Sequence, residues 1–372
     1  MRYRVTCLTP TLVGDGRKLS PIDYMVWKDR VSVLDQNRIF KLLAKGPRLE
    51  GYLTQLKKAS KLDFASWGGF AQNYADRRIP FESAADSGFW SRAPIESLSI
   101  PTFASGTEGP FLPGTAIKGA LRTGMLFANA AEGTLKDLAE RFGGERPPRR
   151  PAEAVEENLL GGGGAARTRF LSAADSDSVP ESNFKVYLVR VATLQTRAPG
   201  AYTLAWKQAG RGNVMRPEES TPAFAEMAAP GTVFEGGWQE NRFFDRPEIR
   251  RALHWANPVT RERIFSEANQ YAAKQLEVHK QYAAWTGLDV LGKQIEELEG
   301  RVAGARERGR CVVSIGWGAG FIGKSAWLDT NDPDYRRILR IPSGLPFPKT
   351  RRIVFLNSQP ATLPGWVELE VV

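Results

Sequence analysis

At 372 residues the chain is long enough for one large domain or two ordinary ones, and 42% hydrophobic with 25% charged residues is an ordinary globular balance. No apolar run approaches the roughly 18 residues of a membrane span, no secretory signal pattern opens the chain, and two cysteines make neither a disulfide framework nor a zinc site; a cytoplasmic protein with buried free thiols is expected. Lys plus Arg outnumber Asp plus Glu by 51 to 41, a formal charge of +10, so the expected partner is acidic, nucleic acid being the commonest.

Residues 2–9 alternate with period two and end at Pro10 and Gly14-Asp15-Gly16, which predicts a strand and a loop. A second strand is expected within 24–34, and helical spacing covers 36–44 and 49–64 around the Gly46-Pro47 break. Residues 67–110 are rich in Gly, Ser, Pro and aromatics, Trp67, Phe70, Tyr74, Phe81, Phe89 and Trp90 among them, and read as irregular, partner-facing structure. Helices are predicted at 116–130 and 134–142. Residues 143–168, with four consecutive glycines at 161–164, read as a flexible linker, because ordering them costs more backbone entropy than packing returns. Strands are expected at 169–172, 185–191 and 232–237, helices across 247–299, and strands again at 311–317 and 352–356. The chain thus divides into 1–142, a linker at 143–168, further core strands at 169–246, a helical insertion at 247–308 and C-terminal strands at 309–372. Strands at both ends with helices between argue for one α+β sheet shared by the termini.

Three motifs carry chemical information. In Phe111-Leu112-Pro113-Gly114-Thr115-Ala116-Ile117-Lys118-Gly119-Ala120-Leu121-Arg122, Gly114 permits a tight turn and Thr115 can cap the following helix. Its first amides suit a phosphate, and Lys118 and Arg122 lie one turn apart on one face. A capped core helix is the structural alternative. Residues 318–325, Gly-Ala-Gly-Phe-Ile-Gly-Lys-Ser, satisfy the P-loop pattern, but only 47 proline-punctuated residues follow, too few for a P-loop domain. The glycines Gly316, Gly318 and Gly320, with Trp317, Phe321 and Lys324, instead suit a loop that approaches a nucleic-acid strand. In Arg167-Thr168-Arg169-Phe170-Leu171-Ser172-Ala173-Ala174-Asp175-Ser176, the Asp-Ser pair can fix a loop by accepting hydrogen bonds, or bind a metal with Asp177; turn chemistry is the safer reading.

Read in order, these motifs resemble the signatures of CRISPR RAMP proteins. The opening (Leu8-Thr9-Pro10, Gly14-Asp15-Gly16, Ile22-Asp23-Tyr24) and the ending (Thr350-Arg351-Arg352, then Gly365-Trp366-Val367) are similar to the Csm-type RAMP subunit that caps the 3′ end of the guide RNA. The resemblance implies an α+β, modified RRM-like (ferredoxin-like) core with large helical and loop insertions, stacked on the end of a filament of related subunits in a type III-A complex. It further implies guide-RNA contacts at Gly114, Thr115, Lys118, Arg122 and Arg169 and through the loop of Gly316, Gly318, Gly320 and Lys324. Its implied partners are crRNA, target RNA indirectly, the adjacent backbone RAMP subunit, the small helical subunit and host ribonucleases, with no membrane and no cofactor. A Cmr-type subunit of a type III-B complex and a guide-processing or target-cutting ribonuclease are the alternatives. Against an enzyme, His254 and His279 are the only histidines and sit in no metal or general-base pattern, His279 reading as a solvated helix-surface residue. Because backbone RAMP subunits of Csm complexes cut with an aspartate in an N-terminal loop, Asp15 and Asp23 are the positions to examine.

Overall fold

The computed structural model describes residues 1–58, 73–131, 133–143, 149–198, 200–210, 212–255, 257–327, 329, 332–342 and 345–372. β1 (Arg2–Cys7) turns Tyr3, Val5 and Cys7 into the core on alternate residues. After β2 (Lys18–Leu19), β3 (Tyr24–Trp27) and β4 (Arg30–Leu34) form a hairpin; Lys28 at φ +55° makes the turn that divides the single strand expected at 24–34. α1 (Gln36–Leu43) is capped by the Asp35 carboxylate and, with α2 (Leu49–Lys58), buries Ile39, Leu43 and Tyr52 against Met25 and Leu34 as a small satellite core. Residues 59–64, Trp67 and Phe70 lie outside the described residues.

β5 (Ala75–Pro80) pairs with β4, and α3 (Asp86–Arg92) follows. The partner-facing reading of this region is corrected: Phe81 is buried, and Trp90 Nε1 donates to the buried Tyr24 hydroxyl at 2.8 Å. Here the aromatics fill the gap between hairpin and helix, and the Gly, Ser and Pro residues mark the turns around them. β6 (Ile100–Pro101), β7 (Ser105–Gly106) and β8 (Gly109–Pro110) are two-residue ladders leading to α4 (Gly114–Ala128), α5 (Thr134–Gly143) and α6 (Pro151–Leu160). α6 corrects the linker: Val155 and Leu160 are buried, so packing offsets the entropy that its composition makes costly.

β9 (Leu171–Ser176) begins later than the strand expected at 169–172, and Arg169 sits in a 3-10 turn, Arg167–Phe170. Then come β10 (Phe184–Ala198), β11 (Ala201–Gln208), β12 (Gly212–Val214), β13 (Ala223–Ala228) and β14 (Val233–Glu240). α7 (Pro247–Ala252), α8 (Arg261–Thr286) and α9 (Asp289–Glu307) form the helical region. The chain closes with β15 (Cys311–Ser314), α10 (Pro333–Ile338), β16 (Thr350–Leu356), β17 (Gln359–Thr362) and β18 (Trp366–Val371).

The first sheet runs β15-β18-β1-β14-β9, all antiparallel. Without β15 its order is fourth, first, third, second: α4 links the first strand to the second, and α8 and α9 lie between the third and fourth, which is the ferredoxin-like arrangement. β1 pairs with β18, so the termini do share a sheet. The second sheet, β12-β11-β10-β16-β17 with β13 also on β10, comes from segments inserted between β9 and β14 and between β15 and β18. Tyr3, Val5 and Cys7 share the main core with Ile117 and Leu121 of α4 and Ile264 and Ala268 of α8. α4 and α8 touch at Gly124, where a Cβ would lie 2.7 Å from Ala268 Cα. On the opposite face Arg4 bridges Glu235 and Glu370, and Arg310 bridges Glu368 and Glu370, while the buried Trp366 lies on the same side of β18.

Candidate nucleic-acid interface

α4 starts without a side-chain cap of its own. Pro113 occupies the N-cap, and Thr115 is exposed and accepts nothing from the helix amides, which corrects its expected capping role. The cap comes instead from β9, where Asp175 Oδ1 accepts the Gly114 amide at 2.9 Å. Ser176 Oγ accepts the Leu112 amide at 2.9 Å, and the Ser176 amide donates back to the Leu112 carbonyl at 3.0 Å. Gly114 is required by close approach: a Cβ there would lie 2.2 Å from the Ala173 carbonyl oxygen and 2.5 Å from that of Ala174. The Asp-Ser pair is therefore a structural joint, with Asp177 ion-paired to Arg2 rather than facing Asp175 across a metal. Lys118 is half-buried with no ion pair found among the described residues. Arg122 is engaged by Glu156 of α6 at 2.5 Å, and Arg169 Nη1 donates to the Gly164 carbonyl at 3.1 Å.

The glycine loop leaves β15 and makes two 3-10 turns, Trp317–Ala319 and Ile322–Lys324, with no α-helix directly after it and an antiparallel strand before it. Neither feature belongs to a P-loop. Gly316, at φ +78°, lies so close to the Leu12 carbonyl that a Cβ would meet it at 2.1 Å; a Cβ on Gly318 would meet Pro364 at 2.2 Å. These glycines let the loop pack against its own chain. Gly320, at φ +62°, would bring a Cβ only into ordinary contact with the Gly318 carbonyl at 3.9 Å, and Phe321 and Lys324 are exposed beside it.

A run of hydrogen bonds joins the two motifs. Phe111 donates to Ala104 at 3.0 Å, Ala104 to Val13 at 2.9 Å, and Trp317 to Leu12 at 2.8 Å, all through backbone amides. Arg352 Nη1 then donates to the Trp317 carbonyl at 3.2 Å while its guanidinium stacks 4.3 Å above the indole. The other side of the loop rests on a polar stripe of α8: the Tyr271 hydroxyl bonds the Ile322 and Ser325 carbonyls, and Gln275 Nε2 donates to Ile322 at 3.3 Å.

His279, one turn further along that stripe, is buried, which overturns the solvated reading. Arg351 Nε donates to its Nδ1 at 3.0 Å, so the imidazole is neutral with its proton on Nε2; burial and then the Arg351 charge hold its pKa well below the usual value. Arg351 also lies over the Tyr282 ring at 4.4 Å, and burial pulls its guanidinium down to about 10. A cavity of about 200 Å³ opens among Gly318–Ile322, His279, Arg351, Arg352 and Trp366. Among candidate contacts these arginines are the ones motif reading passed over. The available signal was two adjacent arginines after a proline-rich turn; what they meet on α8 is set by tertiary structure.

With this geometry in hand, comparison with known proteins is decisive for the family, since a model of the RAMP superfamily matches residues 4–322. The chain belongs to the RAMP superfamily. A chain in the cryo-EM structure of a Csm-crRNA-target RNA ternary complex of a type III-A CRISPR-Cas system has the same fold, with TM-score 0.67, 17% identity and 100% of both chains covered. The crystal structure of T. onnurineus Csm5 aligns at TM-score 0.61 and 17% identity, covering 98% of this chain and 99% of that one. No curated protein matches the sequence.

Within this RAMP chain, both suspect aspartates are tied into turns. Asp15 Oδ1 accepts the Arg17 amide at 3.0 Å; Asp23 Oδ2 accepts the Ser20 amide and hydroxyl at 2.7 and 2.6 Å, and its Oδ1 accepts from Gln36 Nε2. Among the described residues, no group of three or more His, Cys, Asp or Glu side chains is placed to hold a metal, and no helix is long and apolar enough to cross a membrane. Cys7 and Cys311 are free and buried, and burial pushes the Cys7 thiol up to about 12.

Proposed function

We propose that this RAMP protein is a non-catalytic RNA-binding subunit of a type III-A, Csm-type effector complex, holding the 3′ part of the crRNA and capping the backbone filament. The observation that carries the reading is the hydrogen-bonded run from Phe111 through Val13 and Leu12 to Trp317 and Arg352. It brings the segment before α4, the glycine loop and β16 together, and Lys118, Lys324 and Arg352 are the charges we propose to meet phosphates there. The net charge of +10 supports an RNA partner, and the whole-length likeness in fold to a chain from a Csm-crRNA-target RNA complex supports the assembly. The engagement of Asp15, Asp23 and His279 in turns and packing supports a role without cleavage. The adjacent backbone RAMP subunit and the small helical subunit are the proposed protein neighbours, and host ribonucleases are proposed visitors to the capped end. The test is reconstitution of the complex with and without this chain: its omission should yield particles whose crRNA is shortened or ragged at the 3′ end. Particles with unchanged crRNA ends would refute the capping role.

A further inference from the structure

Among the described residues burial depresses four arginines, and two of them keep a counter-charge: Arg190 has Glu218 and Asp86, and Arg167 has Glu267. For Arg351 and Arg352 no carboxylate partner is found among the described residues. In Arg351, Nε is bonded to His279 and Nη1 to the Pro348 and Thr350 carbonyls, which leaves Nη2 with no partner found among the described residues. His279 offers no compensation, being neutral and already an acceptor. Arg351 is buried and Arg352 half-buried without an anion, which is costly, and both line the same cavity of about 200 Å³ beside the glycine loop.

We propose that this cavity is an anion pocket that takes one phosphate group of the bound RNA, terminal or internal, on Arg351 Nη2 and the Arg352 guanidinium. Planar guanidinium donors match phosphate oxygens in geometry as well as charge. The inference rests on the RNA-binding reading for the identity of the ligand, while the unpaired charges and the cavity stand without it.

The experiment titrates inorganic phosphate into the full-length protein, read by isothermal calorimetry and by melting temperature, and in parallel measures binding of single-stranded RNA ending in a 3′-phosphate or a 3′-hydroxyl. Saturable phosphate binding is expected, weakened about tenfold or more by Arg352→Gln and largely restored by Arg352→Lys; both variants leave the Arg351 contacts in place. A preference for the 3′-phosphate oligonucleotide that Arg352→Gln abolishes assigns a terminal phosphate. Equal affinities for the two oligonucleotides, both lowered by that variant, assign an internal one. Absence of saturable phosphate binding, with wild-type RNA affinity in a folded Arg352→Gln protein, overturns the pocket and leaves the RNA reading standing. Phosphate binding by a protein that binds neither oligonucleotide keeps the anion pocket and overturns its RNA ligand, and with it the proposed function.

Discussion

Asp175 Oδ1 accepts the Gly114 amide at 2.9 Å across 61 residues of sequence, so two motifs that read separately in the chain are the two halves of one joint. The carboxylate caps a helix that has no cap of its own and fixes the direction in which α4 leaves the sheet. Replacing Asp175 with Ala should cost about 1–2 kcal/mol, and with Asn, which keeps an acceptor, about half as much. Equilibrium denaturation measures both; an Ala variant as stable as wild type would remove the joint from the account.

Gly114 should show a reversed sign. In an exposed helix, Gly→Ala stabilises by up to about 1 kcal/mol, but here the new methyl meets two strand carbonyls of β9. Gly114→Ala should destabilise by about 2 kcal/mol or more, whereas Gly119→Ala, with open space around its Cβ, should be neutral or stabilising. Thermal melts of the two variants side by side decide the point.

Much of this architecture was legible in advance, and for identifiable reasons. Alternation in residues 2–9 marked β1, and strands at both ends implied the shared sheet that β1 and β18 make. What escaped depends on contacts distant in sequence. Gly316 and Gly318 read as openings for a ligand, yet Leu12 and Pro364 fill the space their missing Cβ atoms leave. His279 beside Lys280 reads as surface because α8 looks polar, but Tyr271, Gln275, His279 and Tyr282 form one buried stripe whose partners are loop carbonyls and Arg351. The glycines at 161–164 hid the neighbouring α6, since composition averaged over the segment masks Val155 and Leu160.

Arg122 and Lys118 should behave differently in RNA binding despite sharing a helical face. Lys118→Ala should lower the salt slope, the fall of log affinity with log salt, by about one unit. Glu156→Gln should raise affinity, because it frees the Arg122 guanidinium from its carboxylate. Filter binding across salt concentrations reads both effects; loss of affinity on Glu156→Gln would mean that the Arg122–Glu156 pair acts only as a strut.

His279 predicts an acid-side loss of stability. Its pKa is depressed in the folded chain, so the unfolded chain binds a proton that the folded one does not; the stability is complete above about pH 6.5 and is lost as pH falls below it. Asp86 has the opposite sign: burial raises its carboxyl to about 6, so below that pH it takes up a proton in the folded chain first and offsets the loss. His279→Gln, which keeps an acceptor for Arg351, should therefore gain stability relative to wild type from pH 6.5 to 5, and Asp86→Asn should steepen the wild-type decline. Urea unfolding at half-unit pH steps tests both, and parallel curves for all three proteins would contradict the assignment.

The proposed role requires the protein to hold RNA by phosphate contacts and to leave it intact. Its most direct test is the affinity of the purified full-length protein for single-stranded RNA as a function of salt, with the RNA recovered and sized afterwards in the presence of Mg²⁺. Binding with little sequence preference, a steep linear fall of log affinity with log salt, and RNA of unchanged length are expected. Affinity indifferent to salt, or RNA shortened in a manner that Asp15→Ala or Asp23→Ala abolishes, would contradict it.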